Sequence, residues 1–149
     1  MALIDVANFE RFFRLAAGLD VDKEDLRRYG DFVSQNIYEL LLRGETVAKA
    51  NARETIEPFD LPITKGLQEC IHRFREMDQE AELTPVLNGL VAHPPLDLAT
   101  SEKTEARLPG IAGGLGLALA RTFKVIDPDL KNPQTEHWER GIALFDLLL

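Results

Sequence analysis

Apolar residues recur every three or four positions through most of the first half of the chain, which is the spacing of one helical face. A short segment over residues 5–17 shows this spacing and ends at Gly18, a residue that commonly terminates helices. Asp22 and Asp25 then predict the capped start of a long helix over about residues 23–51. A continuous seam on one face steps by four and three without a break, through Leu26, Gly30, Val33, Ile37, Leu40, Gly44, Val47 and Asn51. So long a stripe predicts a second helix that crosses it.

A third helical segment follows the loop RETIEPFDL, residues 53–61. Pro58 fits the first turn of a new helix, because the N–H that proline lacks is not needed there. The apolar side of this predicted helix consists of Leu61, Ile63, Leu67, Cys70, Ile71 and Phe74. The first half is therefore predicted to be a short, a long and a short helix joined by brief loops.

The second half of the chain repeats this order of elements. Residues 80–92 predict a short helix, and Thr100 or Ser101 caps a long segment that runs to about residue 126. Pro109 is expected to kink or split that segment. A last helix over about residues 134–148 presents the apolar residues Trp138, Ile142, Phe145, Leu148 and Leu149. We expect its apolar end to dock into the core, with an oligomer contact as the alternative.

Glycines cluster in the sequence GIAGGLG over residues 110–116, inside the second long segment. Each glycine costs a helix up to about 1 kcal/mol relative to alanine. We expect these glycines to allow the crossing helix from the first half to approach closely. The run is not a dinucleotide-binding fingerprint, because the glycine spacing differs and no predicted strand precedes it.

Composition and charge set the class of the protein. A chain of 149 residues with 45% hydrophobic residues predicts one globular domain over residues 1–149. The net charge is −8, and both halves carry more carboxylates than cations, which disfavours partners that are polyanions. The single cysteine, Cys70, cannot form a disulfide within the chain and suits a reducing compartment. With no signal peptide and no apolar span, we expect a cytoplasmic protein without a membrane segment.

Residue patterns for catalysis or metal binding are weak. Glu69 and His72 lie three residues apart on one predicted helix face, a spacing used by metal sites in four-helix bundles. Such sites need a second Glu-x-x-His pair and two further glutamates, and the chain has no second pair. We predict no catalytic residues, no metal and no cofactor. A metal-dependent helical-bundle enzyme remains a remote alternative that depends on Glu69 and His72.

Two stretches resemble archaeal histones. FERFFRLAAGLDVDKEDL, residues 9–26, is similar to their first helix, glycine-containing loop and start of the long helix. ARETIEPFDL, residues 52–61, is similar to their second loop and the start of their third helix, and Arg53 and Asp60 match the arginine–aspartate clamp of that family. The resemblance covers about residues 9–74. The whole chain is also similar to a small bacterial histone-like family catalogued as a domain of unknown function.

The resemblance implies an all-α histone fold in which two short–long–short units form an intramolecular pseudo-dimer. The first unit would span residues 1–77 and the second, more divergent unit residues 78–149. Two units in one chain would bury each other's long seams.

Two non-enzymatic functions follow from the resemblance. The first is a protein-interaction or scaffold module that binds a protein partner or a second copy of itself. The second is a DNA-binding, chromatin-associated protein of the nucleoid, with weak and salt-sensitive binding to duplex DNA. The residues predicted to contact DNA are Arg11, Arg14, Lys23, Arg27, Arg28, Arg53 and Thr55. Glu54 and the acidic residues around Asp20 oppose such contacts, because carboxylates repel phosphate over roughly 8–10 Å.

Overall fold

The computed structural model describes residues 6–81 and 96–148, with the side chains of residues 7–77 and 96–148, and these residues are mostly helical. The helices are α1 (Val6–Ala17), α2 (Lys23–Ala50), α3 (Lys65–Ala81), α4 (Glu102–Ile126) and α5 (Thr135–Leu148). Two short strands, β1 (Thr55–Ile56) and β2 (Ala99–Thr100), and a 3-10 turn (Pro58–Asp60) lie in the connections. The predicted all-α class is confirmed. Of the helix predicted over 80–92, residues 80 and 81 belong to α3 and the others lie outside the described residues.

The junction between α1 and α2 follows local chemistry. Gly18 has a φ of 65°, a left-handed conformation that ends α1 where most other residues would be strained. The N–H of Asp25 donates to Oδ1 of Asp22 across 3.0 Å, and the N–H of Asp22 donates to Oδ2 of Asp25 across 3.1 Å. This reciprocal capping box starts α2 at the position that the sequence predicts.

The predicted seam of α2 is buried over most of its length but not at its end. Leu26, Val33 and Ile37 lie in the core, and the burial continues to Gly44. Val47 and Asn51 are exposed, and Ala48 is buried in their place. The prediction is wrong there because a strict seven-residue repeat drifts by about 20° per repeat around a straight helix. The helix that packs across α2 is α4.

The third helix starts later than predicted. Pro58 opens a 3-10 turn, and α3 begins at Lys65. Pro62 disfavours helical backbone at the residue before it, and Leu61 is extended, with a ψ of 129°. The N–H of Leu67 donates to Oγ1 of Thr64 across 3.2 Å, which caps the new helix.

The second long helix is continuous. Ser101, one of the two predicted caps, accepts a hydrogen bond from the N–H of Thr104 at 3.1 Å. Pro109 lies inside α4 without splitting it, contrary to one of the two expectations. The residues that follow Pro109 pack on α3, and this packing stabilises the helix where proline removes one backbone hydrogen bond.

The glycines of α4 allow the close approach that the sequence predicts, but mainly to a different helix. A Cβ atom on Gly113 would lie 2.3 Å from the ring of Phe74, and one on Gly114 would lie 2.9 Å from the backbone nitrogen of Ile71. Both neighbours belong to α3. Gly116 faces α2 instead, where a Cβ would lie 2.6 Å from Oη of Tyr29. The predicted partner, the long helix of the first half, is therefore right for Gly116 and wrong for the other two.

The last helix is anchored at its start and exposed at its end. Trp138 is 1% exposed and packs edge-on against Phe123, with ring centroids 5.0 Å apart. Phe145 is also buried, whereas Leu147 and Leu148 are 81% and 75% exposed. The expectation that the apolar end docks into the core is therefore wrong for these last described leucines.

Candidate functional site

One end of the molecule is a joint between two connecting segments. Strands β1 and β2 pair in parallel, with Thr55 opposite Ala99 and Ile56 opposite Thr100. The carbonyl of Ile56 also accepts hydrogen bonds from the N–H of Ser101 at 3.1 Å and from Oγ1 of Thr104 at 2.8 Å. The loop after α2 is thus joined to the segment that leads into α4.

A second joint connects the loop after α1 to the loop after α4. The N–H of Asp20 donates to the carbonyl of Lys131 across 2.6 Å. Beside it, Nη2 of Arg28 donates to Oγ1 of Thr135 across 2.8 Å. Each joint therefore pairs a loop from the first half of the chain with a loop from the second half, and the two joints lie at opposite ends of α2.

Arg53 and Asp60 form the ion pair that the resemblance implies. Nη1 and Nη2 of Arg53 donate to the two carboxylate oxygens of Asp60 at 2.6 and 2.5 Å, and Asp60 also accepts from the N–H of Glu57 at 2.8 Å. These donors, Arg53 first, hold the pKa of the Asp60 carboxyl below its ordinary value. The guanidinium lies 4.8 Å from the ring centroid of the exposed Phe59. Both terminal nitrogens of Arg53 are thus engaged by a buried carboxylate.

The residues predicted to contact DNA fall into two separate groups. Arg53 and Thr55 follow the end of α2, whereas the other five lie on α1 or at the start of α2: Arg11, Arg14, Lys23, Arg27 and Arg28. The 28 residues of α2 separate the groups by roughly 40 Å. The structure therefore does not bring the predicted set together as one contact surface.

The end that carries the larger group is acidic. Arg14 lies 3.8 Å from the carboxylate of Asp20, and Arg28 lies 3.6 Å from that of Asp25. A hollow of about 460 Å³ at this end is lined by Asp20, Asp22, Glu24, Asp25 and Arg28, together with residues of the loop after α4. Burial raises the pKa of the Asp25 carboxyl. The carboxylates outnumber the cations around this hollow, which disfavours a phosphate ligand there.

An apolar groove of about 630 Å³ lies between the start of α3, the end of α4 and α5. Its floor includes Leu67, Cys70 and Ala118. Val125 and Leu148 stand at its edge and are 81% and 75% exposed. The apolar end of the sequence, LFDLLL, was the signal for this surface, through the alternative of an oligomer contact.

Glu69 and His72 engage neighbouring residues on α3. Oε1 of Glu69 lies 3.1 Å from Nη2 of Arg73, and Nε2 of His72 lies 3.4 Å from Oε1 of Glu76. Over residues 6–81 and 96–148, no group of three or more His, Cys, Asp or Glu side chains is placed to hold a metal ion. Over those same residues, no helix combines the length and the apolar character needed to cross a bilayer.

The fold is shared with known proteins. The chain belongs to the family described as Domain of unknown function (DUF1931), whose model matches residues 9–146. It is similar to two uncharacterised proteins of Aquifex aeolicus (strain VF5). One is 30% identical over 86% of this chain and 82% of the relative, and the other is 28% identical over 92% and 80%.

Two solved structures are similar over nearly the full chain. A crystal structure of a protein from Thermus thermophilus is 55% identical, covers 99% of this chain and 100% of its own, and has a TM-score of 0.87. A crystal structure of protein AQ328 from Aquifex aeolicus covers 100% of both chains with a TM-score of 0.85 at 24% identity, a level that speaks to the fold alone.

Proposed function

We propose that the protein is a non-enzymatic protein-interaction module, built as a histone-like pseudo-dimer from units over residues 1–77 and 78–149. The two joints support this architecture. Thr55–Ile56 of the first unit pairs with Ala99–Thr100 of the second, and Asp20 of the first pairs with Lys131 of the second at the other end of α2. Two units that cross head to tail would place their loops in this way.

The proposed partner is a second copy of this chain, bound through the apolar groove. The observation that carries this is the juxtaposition of a ridge and a hollow on one face. Val125 and Leu148 project at the edge of the groove, and Leu67 and Cys70 form part of its floor. In a two-fold interface the same patch serves both subunits, so a patch with both features complements itself.

Charge at this groove is compatible with a copy of the same chain. Arg121 and Glu69 both line it, so it carries one cation and one carboxylate among mostly apolar and neutral residues. A two-fold axis would allow the Arg121 of each copy to face the Glu69 of the other. An exposed apolar patch of this kind on a soluble domain commonly marks an interaction site.

The experiment is a measurement of solution mass against protein concentration by analytical ultracentrifugation. We expect the wild type to form dimers, and Val125→Glu to remain monomeric because it places a charge in the dimer contact. Val47→Glu is the matched control, since Val47 is 40% exposed on α2 and is not among the residues of the groove. A wild type that stays monomeric at high concentration, or a Val125→Glu variant that still dimerises, would overturn self-association. In the first case a different protein would be the occupant to seek.

Duplex DNA is the second candidate partner. Lys23 and Arg27 are the observation that favours it: both are exposed, they lie four residues apart on one face of α2, and the described residues give neither a hydrogen-bond partner. Binding through phosphate contacts would be weak and would fall steeply with salt, with a slope of about −0.9 per phosphate contacted. The acidic hollow beside these residues is the reason that DNA ranks second.

A salt titration of duplex binding tests this candidate. If DNA is bound, the double variant Lys23→Glu, Arg27→Glu should lose binding in low salt and reduce the salt slope. The double variant Arg43→Glu, Lys65→Glu is the control for net charge, because both of its residues are exposed elsewhere on the molecule. The absence of binding by the wild type in low salt, or equal losses in the two double variants, would eliminate a DNA site at the start of α2.

A further inference from the structure

A second hollow, of about 380 Å³, lies between the 3-10 turn, α3 and the first half of α4. Apolar side chains of Leu61, Ile63, Ile71 and Ile111 line it. It is separate from the apolar groove and from the acidic hollow, because no described residue lines more than one of them. The part of a ligand that enters between these side chains would be apolar.

Two arginines from different helices meet at this hollow. Arg75 belongs to α3 and Arg107 to α4, and both line it. Gly110 lies three residues after Arg107 and hence on the same face of α4. A Cβ atom on Gly110 would lie 3.8 Å from Nε of Arg75, so the guanidinium of Arg75 reaches the face of α4 that carries Arg107. A distance of 3.8 Å is ordinary van der Waals contact, so Arg75 lies directly against this face of α4.

The charge around the two arginines is unusual for this chain. The chain has a net charge of −8, yet none of the described residues that line this hollow is Asp or Glu. Within the described residues, neither Arg75 nor Arg107 forms an ion pair with a carboxylate. Glu76 lies nearby but is 3.4 Å from His72, another residue of the lining. Two like charges at one concave site favour an anion that binds both.

We propose that this arginine cleft binds a small anion with an apolar body, in which a phosphate or carboxylate head is attached to an aromatic or aliphatic group. The head would accept hydrogen bonds from the guanidinium groups of Arg75 and Arg107, whose planar forks suit both kinds of oxyanion. The apolar body would pack on Ile63, Ile71 and Ile111. This inference is independent of the proposed self-association, which uses a different surface.

Four probes separate the two parts of this recognition. Phenyl phosphate and benzoate carry both an anionic head and an apolar ring, whereas inorganic phosphate and phenol each carry one part. We expect phenyl phosphate or benzoate to bind the full chain saturably in calorimetric titrations, and more tightly than inorganic phosphate or phenol. The tighter of the two identifies the head group. The amide NMR signals of Gln68 and Gly110, at the cleft, should shift during the titration.

Variants assign the binding to the two arginines. Arg107→Gln and Arg75→Gln should each weaken binding about tenfold or more, since each removes a charge-assisted pair of hydrogen bonds. Both residues are exposed, so neither change is expected to impair folding. Arg121→Gln, on the same helix but in the apolar groove, is the matched control and should leave the affinity unchanged. Lack of saturable binding by both ring-bearing anions, or equal affinity in Arg107→Gln and the wild type, would overturn the proposal.

Discussion

The indole Nε1 of Trp138 donates a hydrogen bond to Oδ1 of Asp25 across 2.8 Å, between residues 113 positions apart in the sequence. The bond ties α5 to the capped start of α2, and both side chains are buried. Burial raises the pKa of Asp25 above its ordinary value of 3.8, although the hydrogen bonds from Asp22 and Trp138 oppose the shift. Between the unfolded and the folded pKa, the folded state therefore keeps a proton on Asp25 that the unfolded state has lost. The free energy of unfolding should fall as pH rises from the unfolded to the folded pKa of Asp25.

Replacing Trp138 by phenylalanine should remove this bond and leave a buried carboxylate with one donor fewer. We expect Trp138→Phe to lower the free energy of unfolding at neutral pH by about 2–4 kcal/mol, from the lost charge-assisted bond and the smaller ring. The loss should be smaller near pH 4, where more of Asp25 is protonated. Urea denaturation followed by circular dichroism at the two pH values measures both quantities.

The control for that prediction is the same change in the Asp25→Asn background. An asparagine keeps an oxygen that accepts from the indole but cannot ionise. The cost of Trp138→Phe should then lose its dependence on pH. An equally strong pH dependence in both backgrounds would show that another group is responsible.

Replacing Gly114 or Gly110 of α4 by alanine should change the free energy of unfolding in opposite directions. Gly114→Ala would place a Cβ 2.9 Å from backbone atoms of Ile71, and a backbone cannot move aside as a flexible side chain can. We expect this overpacking to lower the free energy of unfolding by about 1–3 kcal/mol. Gly110→Ala should instead raise the free energy of unfolding by up to about 1 kcal/mol through helix propensity. Its Cβ would meet no atom closer than Nε of Arg75, at 3.8 Å. Thermal unfolding of the two variants compares them directly, and a destabilised Gly110→Ala would contradict the packing described here.

The joint at β1 should depend on the hydroxyl of Thr104, which is fully buried and donates to the carbonyl of Ile56. Thr104→Val should lower the free energy of unfolding by about 1 kcal/mol. The loss is modest because the carbonyl of Ile56 still accepts from the N–H of Ser101. Thr122→Val is the matched change, because Oγ1 of Thr122 donates to the carbonyl of Ala118 within the same helix. We expect Thr122→Val to be close to neutral in chemical denaturation. Equal effects of the two changes would mean that the hydroxyl adds nothing to the joint.

Asp60 should give the protein a distinct sensitivity to acid. Its pKa in the folded state lies below the ordinary value of 3.8, chiefly through Arg53. The stabilisation is therefore complete above the unfolded pKa and is lost as pH falls through the folded pKa. Asp60→Asn should lower the free energy of unfolding at neutral pH, and its difference from the wild type should shrink below about pH 4. Denaturation midpoints across this range, with Glu39→Gln as an exposed control, provide the measurement.

Local features of the sequence predicted where helices begin and end better than they predicted which helices pack together. Gly18, Asp22 and Ser101 mark helix ends through their own backbone chemistry, and the structure has the ends there. The approach at Gly113 was predictable as an approach, but the side chain that fills it, Phe74, belongs to α3. Periodicity shows which face of a helix is buried and contains no information on which element covers it.

The candidate sites likewise differ in how far the sequence predicted them. Arg53 and Asp60 lie close together in sequence, so resemblance and spacing were enough to pair them. Arg75 and Arg107 lie on different helices, and only the packing of α3 on α4 places them at one hollow. The exposure of Leu148 likewise depends on where α5 ends relative to the core, which its apolar composition did not reveal.

The packing of Phe74 and Ile71 into the bare backbone at Gly113 and Gly114 has an evolutionary consequence. In an assembly of two identical subunits, one mutation changes both sides of the symmetry axis at once. Here the two halves belong to one chain and have different sequences. A bulky residue such as Phe74 can therefore occur in one half and the glycine that accommodates it in the other, without either residue appearing in both halves. Such a chain can specialise its two halves separately, because a substitution in residues 1–77 is not repeated in residues 78–149.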